Sequence, residues 1–196
     1  MILPIVAYGD PVLRKEADEI SKDYPKLDEV LENMWETMYN AAGVGLAAPQ
    51  VGLPIRIFMV DTAPFSDDPD FTEEEQKELA GFKKAFINAE IIEETGDEWS
   101  FNEGCLSIPN VREDVFRPEN VTIEYYDEKF KKHTETYNGL IARVIQHEYD
   151  HIEGILFTDK ISSLKKRLIK NKLSNISKGK TSVDYRMRFP DVKGRR

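Results

Sequence analysis

His147 and His151 stand four residues apart in QHEYDH, residues 146–151, and Glu148 directly follows the first of them. On a helix, positions i and i+4 lie one above the other, so both imidazoles can reach one metal ion with a carboxylate beside it. Two imidazoles do not complete such a centre. Hydrolytic zinc-type sites present three protein ligands and keep a fourth position for water, so a third ligand has to come from elsewhere in the chain. Asp and Glu total 36, which makes any one carboxylate a poor choice, whereas there is a single cysteine, Cys105. It sits in EGCLS, residues 103–107, where Gly104 lets backbone come close to an ion. A thiolate with two imidazoles holds Fe2+, Zn2+ or Ni2+ and leaves one position for water. Against this stands the ordinary role of a lone cysteine as a small buried apolar residue. Asp150 lies about 200° around the helix from Glu148, so it faces away from the ion and is expected to brace a neighbouring side chain. His133, in the polar run KFKKHTETYN, is expected to be an exposed surface imidazole.

These residues need elements to carry them. Leu27, Val30, Leu31, Met34 and Met38 at helical spacing predict a helix over 26–42, and IRIFMV after it reads as a buried strand. Residues 62–84 are polar and acidic and read as a surface insertion, with a short helix over 72–80 opened by Thr72 and Glu75. AFINAEIIEE reads as a strand, and VTIEYYDEKFKKHTETYN as a hairpin turning near Glu128 and Lys129; the stretch between them, GDEWSFNEGCLSIPNVREDVFRPEN, reads as a turn-rich connection. The histidines fall in a helix over about 137–154, with Leu140, Ile141, Val144, Ile145 and His151 on a broad apolar face, Asn138 as N-cap and Gly154 as stop. A second, basic helix follows in SSLKKRLIKNKLSNI, with Leu164, Ile169 and Leu173 on its apolar face. Strands and helices mix without βαβ alternation, so the expected class is α+β, mixed or antiparallel strands packed around a central metal-binding helix.

A chain of 196 residues with 40% hydrophobic residues suits one domain with a substantial core. No run approaches the roughly 20 apolar residues of a membrane span, and the N-terminal stretch lacks a positively charged leader, so a soluble, cytoplasmic protein is expected. The net charge of −9 argues against general nucleic-acid binding. From Ile161 onward, however, twelve Lys and Arg face two Asp, leaving about −19 on residues 1–160. A basic arm on an acidic body can dock on an anionic surface such as RNA; it can equally be a solvated helix with a disordered tail.

Three segments together, GVGLAAPQ at 43–50, EGCLS at 103–107 and QHEYDH at 146–151, resemble the signature motifs of the peptide deformylases, in that family's order. GDPVLRKEA at 9–17 is also similar. The resemblance runs to about residue 165, which divides the chain into a catalytic domain over 1–165 and a basic helix and tail over 166–196; residues 62–84 and the end of the tail have no evident counterpart. The resemblance implies a metallohydrolase that removes the formyl group from the N-terminal formyl-methionine of new polypeptides in a bacterial-type cytoplasm, releasing formate. It implies Cys105, His147 and His151 as ligands of one divalent ion, Fe2+ before Zn2+ or Ni2+, with water in the fourth position. Metal-bound water would attack the formyl carbonyl with Glu148 as general base and then acid, while the Gln50 amide and the Leu106 N–H would serve the oxyanion. Gly43, Val44 and Gly45 become an edge on which an extended peptide adds as a strand, with Gly104 beside it. A methionine slot would be lined by Val44, His147 and the methylenes of Arg143, with Arg112 near its mouth; alternatively Arg143 pairs with Glu103. The implied partners are N-formylmethionyl nascent chains and, through the basic tail, the ribosome, with no membrane and no specific nucleic acid. Two rivals stand beside this reading: a zinc peptidase on the same helix, and a binding module in which the three ligands form only a structural clip.

Overall fold

The computed structural model describes residues 1–190. In chain order its main elements are β1 (Ile5–Val6), α1 (Leu27–Asn40), β2 (Gly45–Ala47), β3 (Ile57–Asp61), α2 (Glu73–Gly81), β4 (Lys83–Cys105), β5 (Ile108–Tyr126), β6 (Lys132–Asn138), α3 (Gly139–Ile152), α4 (Ser163–Ser177) and β7 (Met187–Arg188). Strands β2 to β6 form one antiparallel sheet in sequence order, and β1 pairs in parallel with β7. The architecture is α+β. No helix among the described residues is long and apolar enough to cross a membrane.

Strand β3 explains how the sheet lies between two helices. Successive side chains on a strand point to opposite faces. Ile57 and Met59 join Leu31, Met34 and Met38 of α1, while Phe58 and Val60 join Ile141, Val144 and Ile145 of α3. A strand covered on both faces has to be apolar at every position, and IFMV is. Phe58 also stacks on Phe86 of β4, with ring centroids 4.7 Å apart. Helix α2 opens with the expected capping box: Thr72 Oγ1 accepts from the Glu75 N–H, and the Glu75 carboxylate accepts from the Thr72 N–H at 2.8 Å.

The stretch expected to be a turn-rich connection is strand instead. β4 runs to Cys105 and β5 starts at Ile108, so the chain turns only at Leu106 and Ser107. Two of the four register shifts along the β4–β5 ladder fall in this stretch, one between Thr95 and Glu98 around Gly96 and one between Gly104 and Cys105, opposite Asn110. Along β5 the odd-numbered Val111, Val115, Arg117, Val121, Ile123 and Tyr125 are buried, a strand period hidden in the sequence by charged inward residues. His133 on β6 is likewise not simply exposed. It is half-buried, its ring stacks 5.3 Å from that of Tyr125, and its Nε2 lies 2.8 Å from Asp127 Oδ2.

Helix α4 packs Ile169, Leu173 and Ile176 into a cluster with Ile108, Val115 and Phe157. Leu164 is 60% exposed, contrary to expectation. Five residues before Ile169, it sits about 140° around the helix and faces away from the core. The helix begins at Ser163, so the division placed between 165 and 166 falls inside it. Residues 178–190 return to the body through the β7–β1 pairing, and the end of the basic tail, 191–196, lies outside the described residues.

Candidate metal centre

Helix α3 is buried on nearly every side, including Arg143, Gln146, Glu148, Asp150 and His151. Polar side chains in such a place need partners, because each unmatched one costs roughly 1–3 kcal/mol. Gln146 Nε2 finds Glu94 Oε1 at 2.9 Å. Arg143 reaches Glu103 Oε1 and the Val115 carbonyl, each at 3.0 Å, and its guanidinium lies 4.4 Å over the Trp99 ring. The Glu103 pairing considered from sequence is therefore made. Asp150 accepts from Arg117 Nη1 at 2.7 Å, which is the bracing expected of it.

His147 and His151 project from one face of α3 towards Cys105, the last residue of β4, and one donor atom from each lies within 4.8 Å of the others. Sγ of Cys105 is 3.3 Å from Nε2 of His151. Tetrahedral bonds of zinc-type length to sulfur and nitrogen put such donors roughly 3.3–3.6 Å apart, so the set fits one small divalent ion. His147 Nδ1 lies 2.9 Å from Glu103 Oε2, an arrangement that orients the ring and leaves its Nε2 for the ion. Two polar atoms in the centre, His151 Nδ1 and Glu148 Oε2, are buried without a partner among the described residues. Burial pushes the Glu148 carboxyl up to about 7, partly opposed by the charge of His147.

Gln50 enters from the short helical turn Ala48–Val51. Its Oε1 accepts from the Ala47 N–H at 2.8 Å, which turns Nε2 toward Cys105 Sγ at 3.4 Å and Ser107 Oγ at 3.3 Å. Edge strand β2 passes directly over Glu148. A Cβ at Gly45 would come within 2.7 Å of the Glu148 carboxyl carbon, and one at Gly43 within 2.8 Å of Leu106 Cδ1. These glycines thus make room for the chain's own side chains. The same holds at Gly104, where a Cβ would lie 2.7 Å from Arg112 Nη1. Arg112 is exposed and donates to the side chain and backbone of Asn102.

Apart from His151, every residue assigned a ligand, catalytic or substrate-binding role from sequence borders one cleft of about 770 Å³. Two participants were not singled out from sequence. Arg117 grips Glu103 through Nε and Nη2 at 2.7 and 3.0 Å while holding Asp150, and Tyr185 on the far C-terminal segment also borders the cleft. No local motif marks Arg117; its only signal is a place on the inward, odd-numbered side of β5.

The polypeptide deformylase family model matches residues 2–167. The chain belongs to the peptide deformylase family. The peptide deformylase of Christiangramia forsetii is 72% identical over 193 residues, covering 98% of both chains, and that of Flavobacterium johnsoniae is 70% identical with the same coverage. These relatives extend through residues 62–84 and most of the basic end. A crystal structure of a peptide deformylase from Legionella pneumophila superposes with a TM-score of 0.77 at 34% identity, over 92% of this chain and 98% of that one. A peptide deformylase from Synechococcus elongatus, solved in complex with actinonin, gives a TM-score of 0.73 at 34% identity, over 95% and 92%. As a member of the peptide deformylases, the chain is a metal-dependent hydrolase that removes the N-terminal formyl group from newly made polypeptides. The peptidase and structural-clip rivals fall away.

Proposed function

We propose that Cys105, His147 and His151 hold the divalent ion of this deformylase, that Glu148 carries the proton, and that Gln50 Nε2 and the Leu106 N–H stabilise the oxyanion. The observation that carries the reading is the convergence of the three donor atoms, with Glu148 and Gln50 beside them on separate elements. When bound, the ion supplies Lewis acidity toward the formyl carbonyl and brings water into the neutral range as a nucleophile. Fe2+ is the ion we favour, since the thiolate suits a softer metal, with Zn2+ and Ni2+ compatible with the same donors.

Glu148 accepts the proton lost by the attacking water on its buried carboxylate and returns it to the departing amine nitrogen. A buried carboxylate beside the ion is suited to both transfers. Gln50 is set to donate because its Oε1 is already engaged by Ala47. An extended formyl-methionyl peptide adds along Gly43, Val44 and Gly45, whose strand has the sheet on one side only. The methionine side chain occupies the part of the cleft bordered by Val44, Arg143 and His147, with Arg112 at its mouth.

The test is Glu148→Ala. Metal content should stay at one ion per chain, while formate release from formyl-Met-Ala-Ser falls about 10²–10⁴-fold. An active variant, or one that has lost its metal, counts against the assignment. We place the work in the cytoplasm, where formylated chains emerge, with the ribosome as a docking partner for the basic end. Truncating after Ser163 would strip Ile169, Leu173 and Ile176 from the core, so charge reversal at exposed Arg167 and Lys170 is the cleaner probe. Unchanged, salt-insensitive co-sedimentation with ribosomes would remove that partner.

A further inference from the structure

The family match ends at residue 167, yet the chain beyond it comes back to the active-site cleft. In TSVDYRMRFP, residues 181–190, Thr181, Val183, Tyr185, Met187 and Phe189 are partly buried and alternate with exposed Ser182, Asp184, Arg186 and Arg188. That is the period of an extended segment with one face down. It is fastened at both ends. Upstream, Asn110 Nδ2 donates to Thr181 Oγ1 at 3.3 Å and to the Ser182 carbonyl at 3.2 Å. Downstream, the N–H groups of Ile5 and Ala7 donate to the carbonyls of Arg186 and Arg188, both at 2.9 Å.

Between these anchors residues 182–185 form part of the cleft wall, and the Tyr185 hydroxyl donates to the Leu106 carbonyl at 2.8 Å. Leu106 lies in the two-residue turn between β4 and β5, outside the ladder that holds its neighbours. An oxyanion donor has to sit within about 2.7–3.1 Å of where the charge develops, so a turn residue in that role needs its backbone held. Burial pushes the Tyr185 hydroxyl up to about 12, so it remains a donor throughout the neutral range.

We propose that Tyr185 is a positioning residue for deformylation: by holding the Leu106 carbonyl it fixes the backbone at Leu106 and aims the N–H of that residue at the oxyanion. The inference rests on the assignment of the Leu106 N–H made above. It gives the C-terminal segment a part in the reaction, through a side chain that lies outside the matched family region.

The experiment uses the full-length, metal-loaded enzyme and formyl-Met-Ala-Ser. Tyr185→Phe keeps the ring and deletes the hydroxyl. It should lower kcat about three- to tenfold, the worth of one neutral hydrogen bond, with KM and metal content unchanged and Tm lower by no more than about 2–4 °C. Backbone amide exchange in the segment containing Leu106 should quicken, a readout independent of turnover. Asn110→Gly retains the left-handed backbone at that position (φ 62°) and releases the upstream fastening. It should lower kcat in the same direction and serves if Tyr185→Phe does not fold. Wild-type kcat and exchange in the folded variant overturn the proposal, as does a loss in which KM and metal content move together with kcat. Gln50→Ala separates the two levels. If it loses about 10²–10³ in kcat while Tyr185→Phe loses nothing, only the positioning role fails. If Gln50→Ala is fully active, the oxyanion assignment itself fails.

Discussion

Replacing Arg117 with leucine removes the side chain that, among the described residues, grips both carboxylates beside the proposed ligands. Arg117 holds Glu103 at 2.7 and 3.0 Å and Asp150 at 2.7 Å, with the three side chains 4%, 3% and 10% exposed. Among the described residues, leucine leaves the two buried carboxylates with Arg143 and Lys160 as cations, the latter 3.5 Å from Asp150. Breaking a buried pair from one side costs about 3–5 kcal/mol. At about 2–4 °C per kcal/mol for a domain of this size, Tm should fall by roughly 6–20 °C. Glu103 also orients His147, so metal affinity should drop about 10–100-fold. The assays are thermal unfolding and competition with a chelator, both near neutral pH. Acid supplies a second signature. Burial pushes the Glu103 carboxyl up, but hydrogen bonds from His147 and Arg117 outweigh it and hold the group well below the usual carboxylate range. Its stabilisation is thus complete above the unfolded value near 4.3 and is lost only as pH falls through the depressed folded value. With Arg117 gone the depression shrinks, so the deficit in Tm should be widest above about pH 5 and narrow as Glu103 protonates. A variant within about 2 °C of wild type and with unchanged chelator competition would falsify the reasoning.

Cys105→Ala should lose most of its bound metal by elemental analysis; full retention would mean the third ligand is another group. Gly45→Ala should keep its metal but lose about 10²-fold in kcat, because the new methyl displaces Glu148 from its place against β2. Undiminished turnover would show that the carboxylate has room to spare. In metal-stripped protein, the raised Glu148 carboxyl contributes stability that is full below about 4.3 and lost as pH rises through about 7. Glu148→Gln removes that loss, so between about pH 5 and 8 its Tm should decline less than that of wild type, by the equivalent of about 3 kcal/mol. Parallel Tm profiles would contradict the burial of the charge.

The sequence exposed the site better than the sheet that carries it. Helix α3 was legible because its apolar residues keep helical period up to Ile152, and the two histidines share that register. α1 and the capped α2 were legible for similar local reasons, as was the hairpin of β5 and β6. The β4–β5 turn was not. Gly96, Asn110 and Pro118 read as punctuation, and only the long ladder shows that register shifts absorb the first two while Pro118 pairs in register with Glu98. Arg117 was invisible because a buried arginine has no local signature: it is defined by two carboxylates 14 residues before it and 33 after it. The inward face of 181–190 was written in its alternation, Thr, Val, Tyr, Met, Phe, but a strong run of positive charge drew the reading toward a solvated tail.

The Arg117 clamp changes what the ion is to this protein. In small zinc modules the ligands come together only when the ion arrives, and removing it unfolds the chain. Here the segment ending in Cys105 and the helix bearing both histidines are already joined through Glu103, Arg117 and Asp150, by charges that belong to the chain. On the proposed ligand assignment, the ion would enter a seat that these contacts brace from within the chain. With that bracing, exchange of one divalent cation for another would leave the scaffold intact, and the donor set would govern the preference among them.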